Sequence, residues 1–151
     1  MKYKITKIKK EKYECLYDLE HDGLRIFKLG NKYMLVGVYF SQIGKEYDYI
    51  SDTNSDRLRV VKLNKKYFLI DSSAMKVSKD YDKIYNLEND GLRKVRLGTK
   101  YFLIDNKGYI AGKGYDKIGI FEKGLRKVKL GNETFKIKIE REIEWIRQLQ
   151  I

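Results

Sequence analysis

Apolar and polar residues alternate along most of this chain, in short bursts separated by glycine- or asparagine-bearing turns. Leu92-Arg93-Lys94-Val95-Arg96-Leu97 alternates from Val95 onward, and equivalents run from Leu24 to Leu29, Leu58 to Leu63 and Leu125 to Leu130. An aromatic and β-branched run follows, Tyr101-Phe102-Leu103-Ile104-Asp105, matched by Tyr67-Phe68-Leu69-Ile70-Asp71 and by Tyr33-Met34-Leu35-Val36-Gly37. Between the two runs lie Gly98-Thr99, Asn64-Lys65 or Gly30-Asn31-Lys32, residues that tolerate positive φ. An alternating run and an aromatic, β-branched run on either side of such a turn read together as a β-hairpin.

The hairpin belongs to a longer unit. Tyr13, Tyr47, Tyr81 and Tyr115 recur every 34 residues, each followed by an acid: Glu14, Asp48, Asp82 or Asp116. A fixed period of this length marks a repeat array, in which neighbouring units bury one another's apolar faces. A helical repeat of the same period is excluded by composition, because alanine is nearly absent, glycines punctuate every copy, and apolar residues alternate. The expected architecture is a single all-β domain of about four ~34-residue hairpin repeats, over residues 13–46, 47–80, 81–114 and 115–139. Residues 1–12 are expected to add an N-terminal strand over 3–8, where Tyr3 and Ile5 alternate with Lys4 and Thr6. Residues 140–151 place Ile143, Ile146 and Leu149 on one face, in line with Ile139, which predicts a C-terminal capping α-helix. An open solenoid is favoured over a propeller-like ring, although the first strand suits either.

The repeat resembles the WG (KWG-type) bacterial β-repeat, in which Tyr-Asp-x-Ile, Gly-Leu-Ala-x-Val and Lys-Trp-Gly-x-Ile-Asp-x-x-Gly segments follow one another. The matching residues are Tyr81-Asp82-Lys83-Ile84, Gly91-Leu92-Arg93-Lys94-Val95 and Lys100-Tyr101-Phe102-Leu103-Ile104-Asp105-Asn106-Lys107-Gly108. Tyr115-Asp116-Lys117-Ile118 and Gly124-Leu125-Arg126-Lys127-Val128 open the next copy, and the likeness covers residues 13 to 139. The naming Trp-Gly pair is Tyr-Phe here, or Tyr33-Met34 in the first copy, and the alanine is an arginine in all four. The resemblance implies a non-catalytic β-repeat scaffold used for binding, and it supplies neither a substrate nor catalytic residues.

Charge narrows the partner. Lys and Arg number 33 against 21 Asp and Glu, and the net +12 favours acidic partners: an acidic protein surface first, RNA or DNA second. The starting lysines lack the apolar run of a signal peptide and no segment has the length to span a bilayer, so a cytoplasmic address without a membrane partner is expected. Cys15, the single cysteine, excludes an internal disulfide framework and is expected as a small buried hydrophobe. His21, the single histidine, is expected to be a solvated loop residue. This inventory points to no enzyme, no metal and no cofactor. Gly108 to Gly114 looks faintly like a phosphate loop, but it lacks a Ser or Thr after Lys113 and leads into a strand. The absence of proline, with abundant Lys, Ile, Tyr and Asn, points to an AT-rich bacterial or mobile-element gene.

Two columns of repeated residues are the candidate functional features. Arg25, Arg59, Arg93 and Arg126 are expected to form a structural ladder of ion pairs with Glu14, Asp48, Asp82 and Asp116. Lys28, Lys62, Arg96 and Lys129, with Lys66 and Lys100 nearby, are expected to point away from the core and form a basic binding stripe. Tyr33, Tyr67 and Tyr101 are expected in packing, whereas Tyr17, Tyr39, Tyr49, Tyr85 and Tyr109 are candidates for exposed contacts. The functional expectation is a protein-binding module acting through a basic, tyrosine-containing face. One form of it would be a phage or mobile-element inhibitor of a host defence nuclease, in the manner of an anti-CRISPR protein. Direct RNA or DNA binding through the Lys/Arg stripe is the alternative.

Overall fold

The computed structural model describes residues 13–17 and 22–140. The strand expected over residues 3–8, His21, and the helix expected beyond Glu140 lie outside the described residues.

Every element among the described residues is a β-strand, and every strand pairing is antiparallel. The first sheet holds β1 (Tyr13–Tyr17), β2 (Arg25–Leu29), β3 (Lys32–Val36) and β4 (Gln42–Tyr47) in chain order. The second holds β5 (Tyr49–Ile50), β6 (Arg59–Leu63) and β7 (Lys66–Ile70). The third holds β8 (Lys83–Leu87), β9 (Arg93–Leu97) and β10 (Lys100–Ile104), and the fourth β11 (Lys117–Glu122), β12 (Leu125–Leu130) and β13 (Glu133–Ile137). Each is an open antiparallel meander with the Leu-Arg strand away from its edges.

The hairpin register repeats from unit to unit: Arg59 faces Ile70 and Leu63 faces Lys66, as Arg93 faces Ile104 and Leu97 faces Lys100. The tight turn is made in two ways. Asn64 and Lys65 both adopt positive φ, 52° and 68°, the geometry of a type I′ turn, whereas Gly98 alone does so, at 64°, in the third repeat. Both twist the strands in the sense a hairpin requires.

Backbone bonds carry the chain from one sheet to the next. Tyr67 and Tyr81 exchange two N–H···O bonds of 2.8 Å, and Tyr101 and Tyr115 exchange bonds of 2.8 and 2.9 Å. The tyrosine opening a repeat is therefore fixed to the last strand of the hairpin before it. At Gly108, with φ of 82°, an added Cβ would stand 2.4 Å from the Val77 carbonyl oxygen, so the third repeat's loop approaches the second repeat closer than any side chain permits.

The core is divided into three clusters, each between successive sheets. Leu35 and Ile26 of the first sheet meet Val61, Phe68 and Ile70 of the second. Leu69 of the second meets Ile84, Val95 and Ile104 of the third, and Leu103 of the third meets Tyr115, Ile118 and Val128. Val95 and Leu103 lie on opposite faces of one sheet, since Val95 faces Phe102 and Leu103 faces Lys94. An inner sheet is thus buried on both faces. For Lys62 and Arg96 this corrects the expectation of a solvent face: Arg96, with Lys94, shares its face with the buried Leu103, and Lys62 shares its face with the buried Leu69. Lys62, Lys94 and Arg96 occupy the outer part of the inter-sheet seams, whereas Lys129 lies on the face of its sheet opposite the buried Val128.

Candidate binding surface

Arg59, Arg93 and Arg126 of the arginine ladder are buried, and their partners are a third column of residues, whereas Arg25 is half-buried with its guanidinium 5.1 Å from the Phe40 ring centre. Asp22, Asp56 and Asp90 each accept the backbone N–H two residues on, from Leu24, Leu58 and Leu92 at 3.2, 3.2 and 3.3 Å, which closes the loop before the central strand. The same carboxylate receives the guanidinium of the following repeat. Arg59 donates through both terminal nitrogens to Asp22, which also accepts the Ser72 hydroxyl at 3.1 Å. Arg93 donates to both oxygens of Asp56 at 2.6 and 3.0 Å. Arg126 reaches Asp90 through Nε and Nη2 at 2.9 and 2.8 Å, and Glu88 through Nη1 at 2.6 Å. Burial pushes the Asp22 carboxyl up, but Arg59, the Leu24 N–H and the Ser72 hydroxyl together bring it below the usual carboxylate value. Burial likewise works against the charge of Arg126, and Asp90 and Glu88 outweigh it.

The expected partners of the arginines do something else. Lys32, Lys66 and Lys100 donate to Asp48, Asp82 and Asp116 at 2.5, 2.5 and 2.6 Å, sixteen residues further on in each case. The second oxygen of each carboxylate accepts the hairpin-turn N–H of its own repeat, from Asn64, Gly98 and Gly131 at 2.9, 2.7 and 2.7 Å. The lysine bond first, and the turn N–H second, hold all three carboxyls below their ordinary value. Lys66 and Lys100, expected in the binding stripe, are accordingly engaged in links between repeats.

Lys28, Lys62, Lys83 and Lys94 meet tyrosine rings in the seams. The Lys28 ammonium lies 5.5 Å from the Tyr33 ring centre and that of Lys62 5.5 Å from Tyr67, each directly across the hairpin. Lys83 stands between Tyr67 and Tyr85 at 5.5 and 5.9 Å, and Lys94 between Tyr85 and Tyr101 at 4.3 and 5.5 Å. These separations lie within the range of cation–π attraction. Tyr33 meets Tyr49 edge-on at 5.7 Å, and Tyr85 meets Tyr101 at 6.4 Å. Burial, then the neighbouring Tyr101, raises the Tyr85 phenol above its usual value. Arg96 turns back to the Gly98 carbonyl at 3.1 Å and stands 4.0 Å from Asp82. Between the second and third sheets the seam opens as a cleft of ≈ 390 Å³ lined by Tyr49, Ser51, Asp52, Tyr67, Lys83 and Tyr85.

Lys129 lies across from Thr134 and Lys117 on the last sheet, away from any tyrosine of the seams. Tyr39 and Tyr109 are exposed loop residues, and Cys15 is exposed on β1, which corrects its expected burial. The side chain of Tyr17 lies outside the described residues. Sequence reasoning missed Asp22, Asp56, Asp90 and Lys83, although the three aspartates recur with the same period as the arginines they bind.

Among the described residues no group of three His, Cys, Asp or Glu side chains is placed to hold a metal ion, and no helix is long and apolar enough to cross a membrane. No protein-family model matches the chain, and no curated protein matches it in sequence, so the likeness to WG repeats is carried by the motif residues alone.

Proposed function

We propose that this protein is a non-enzymatic binding module that docks an acidic protein surface through the lysine–tyrosine seams between its sheets. One observation carries the reading. The two aspartate columns, Asp22, Asp56, Asp90 and Asp48, Asp82, Asp116, are spent internally on Arg59, Arg93, Arg126 and on Lys32, Lys66, Lys100, while Lys28, Lys62, Lys83 and Lys94 are set against tyrosine rings. Tyrosine beside a cation offers large contact area at low side-chain entropy cost, and the fixed spacing of the seams suits an extended partner.

The test is affinity capture from a lysate of the source cells with the parent protein and with the triple reversal Lys62→Glu, Lys83→Glu, Lys94→Glu, each with and without nuclease. A defined protein that survives nuclease and high protein excess, and is lost with the triple reversal, supports the reading. Equal retention by both proteins sinks it. Tyrosine rings beside cations also favour single-stranded RNA or DNA, which is held by such surfaces. In that case capture yields nucleic acid, and affinity for an oligonucleotide falls by roughly 0.7 of a power of salt concentration for each phosphate neutralised.

A further inference from the structure

The seam between the second and third sheets is held open by two residues that the next repeat replaces with larger ones. Lys94 crosses the seam between the third and fourth sheets, its ammonium 4.3 Å from the Tyr85 ring centre and 3.2 Å from the Ile118 carbonyl oxygen. One period earlier Val60 stands in the place of Lys94 and Ser51 in the place of Tyr85. Val60 has no chain to send across. The Ser51 hydroxyl accepts the Val60 N–H and donates to the Asp52 carbonyl, both at 2.9 Å, and so stays with its own sheet. Both residues line the cleft of ≈ 390 Å³ between these sheets. A second hollow, of ≈ 420 Å³, is bordered by residues 54–56, 87–89 and Asn106, and Asn54 borders both, which joins them into one groove.

We infer that this groove binds a neutral oligosaccharide. Its uncharged hydrogen-bonding side chains are chiefly amides, Asn54 and Asn86 in the cleft and Asn89 and Asn106 in the hollow. Among the described residues these four amides are engaged with no other group of the protein. Each carries two donors and an acceptor, the mixture that sugar hydroxyls, themselves donors and acceptors, require. Tyr49, Tyr67 and Tyr85 add ring surface, and the negative face of an aromatic ring attracts the C–H groups on the apolar side of a pyranose. Charge decides against other chain-like ligands. Lys83 and Asp52 bring one charge each to the cleft, and the two carboxylates of the hollow, Asp56 and Glu88, are held by Arg93 and Arg126. The groove is thus close to neutral on a chain of net charge +12, without the row of cations that a phosphate backbone needs. An acidic peptide would meet Asp52, Asp56 and Glu88 there. The docking of an acidic protein rests on the lysines of the seams; this inference rests on the amides and stands without it.

The test is an NMR titration of the isotope-labelled protein with cellotetraose, maltotetraose and chitotetraose, and with tetraglutamate and tetrathymidylate as charged counterparts. At least one tetrasaccharide is expected to shift the side-chain amide signals of Asn54, Asn86, Asn89 and Asn106 at millimolar concentration, and the two anions are expected to leave them in place. Val60→Lys gives this seam the residue of the next repeat and is expected to weaken binding by about tenfold by filling the cleft. Should that variant fail to fold, Asn86→Ala with Asn89→Ala, both at exposed positions, is expected to weaken binding by about tenfold with the rest of the spectrum unchanged. The inference is overturned if no tetrasaccharide moves the four amide signals, if either anion moves them as far, or if a folded variant binds as the parent does.

Discussion

Two charged ladders run through the same repeats and differ mainly in depth. In the arginine ladder the Arg93 and Asp56 side chains are 1% and 11% exposed; in the lysine ladder Lys100 and Asp116 are 44% and 36% exposed. The chemistry matches the depth. Arginine, whose planar fork satisfies two carboxylate oxygens at once, is used where water is excluded, and lysine, a hydrated point charge, is used at the rim. The lesson is that identical recurrence in sequence conceals unequal energetic weight. A buried pair is expensive to half-remove, whereas a rim pair is screened and adaptable.

The largest effect is expected at the deep ladder. Asp56→Ala strands the Arg93 guanidinium and leaves the Leu58 N–H without its acceptor, so urea unfolding should show a loss of about 3–5 kcal/mol. Asp56→Asn combined with Arg93→Met removes both charges while keeping the loop bond, and should return stability to near that of the parent. If that double variant is as unstable as Asp56→Ala, burial is not what separates the ladders.

Acid comes next, because it acts on both. Asp22, Asp48, Asp82 and Asp116 all have lowered folded-state values. Their contribution is complete above the ordinary carboxylate value and is lost as pH falls through the lowered ones, so unfolding midpoints should hold at neutral pH and drop below about pH 4. A midpoint that falls already between neutrality and pH 5 would contradict these carboxylates as the cause.

A smaller change is expected at Tyr81, whose hydroxyl is buried without a hydrogen-bond partner among the described residues. Tyr81→Phe removes that unsatisfied group and should leave stability unchanged or raise it by about 1 kcal/mol. Burial also raises the phenols of Tyr47 and Tyr81, so their contribution is complete below the ordinary tyrosine value and is lost above about pH 10. The Phe variant should flatten that alkaline slope. The smallest effect belongs to the rim: Lys100→Ala should move the unfolding midpoint far less than Asp56→Ala, and molar salt should erase the difference from the parent. A shift that survives molar salt would place Lys100 with the deep ladder.

The strands themselves were legible because alternating runs such as Val95 to Leu97 and aromatic, aliphatic runs such as Tyr67 to Ile70 and Tyr101 to Ile104 flank residues that accept positive φ, so local chemistry alone specifies the hairpins. The partner of the arginines was not legible, for a physical reason. Asp56 reads as a turn residue and does serve its own turn; its second bond goes to a group 37 residues away, and local patterning carries no trace of that. The depth of the basic column was hidden too. Lys62 alternates with apolar residues as a solvent-facing lysine would, and only the stacking of the next sheet shows that Leu69, on the same face, is buried.

The partition of the core into three clusters, each strung between two sheets, sets how the molecule answers a pull. Stretched from its ends, the chain does not have to give way at once, because releasing one sheet dissolves only the cluster and the arginine clasp on its open side. Extension should proceed as a staircase of force peaks, each step freeing one period of chain, about 110 Å when drawn straight.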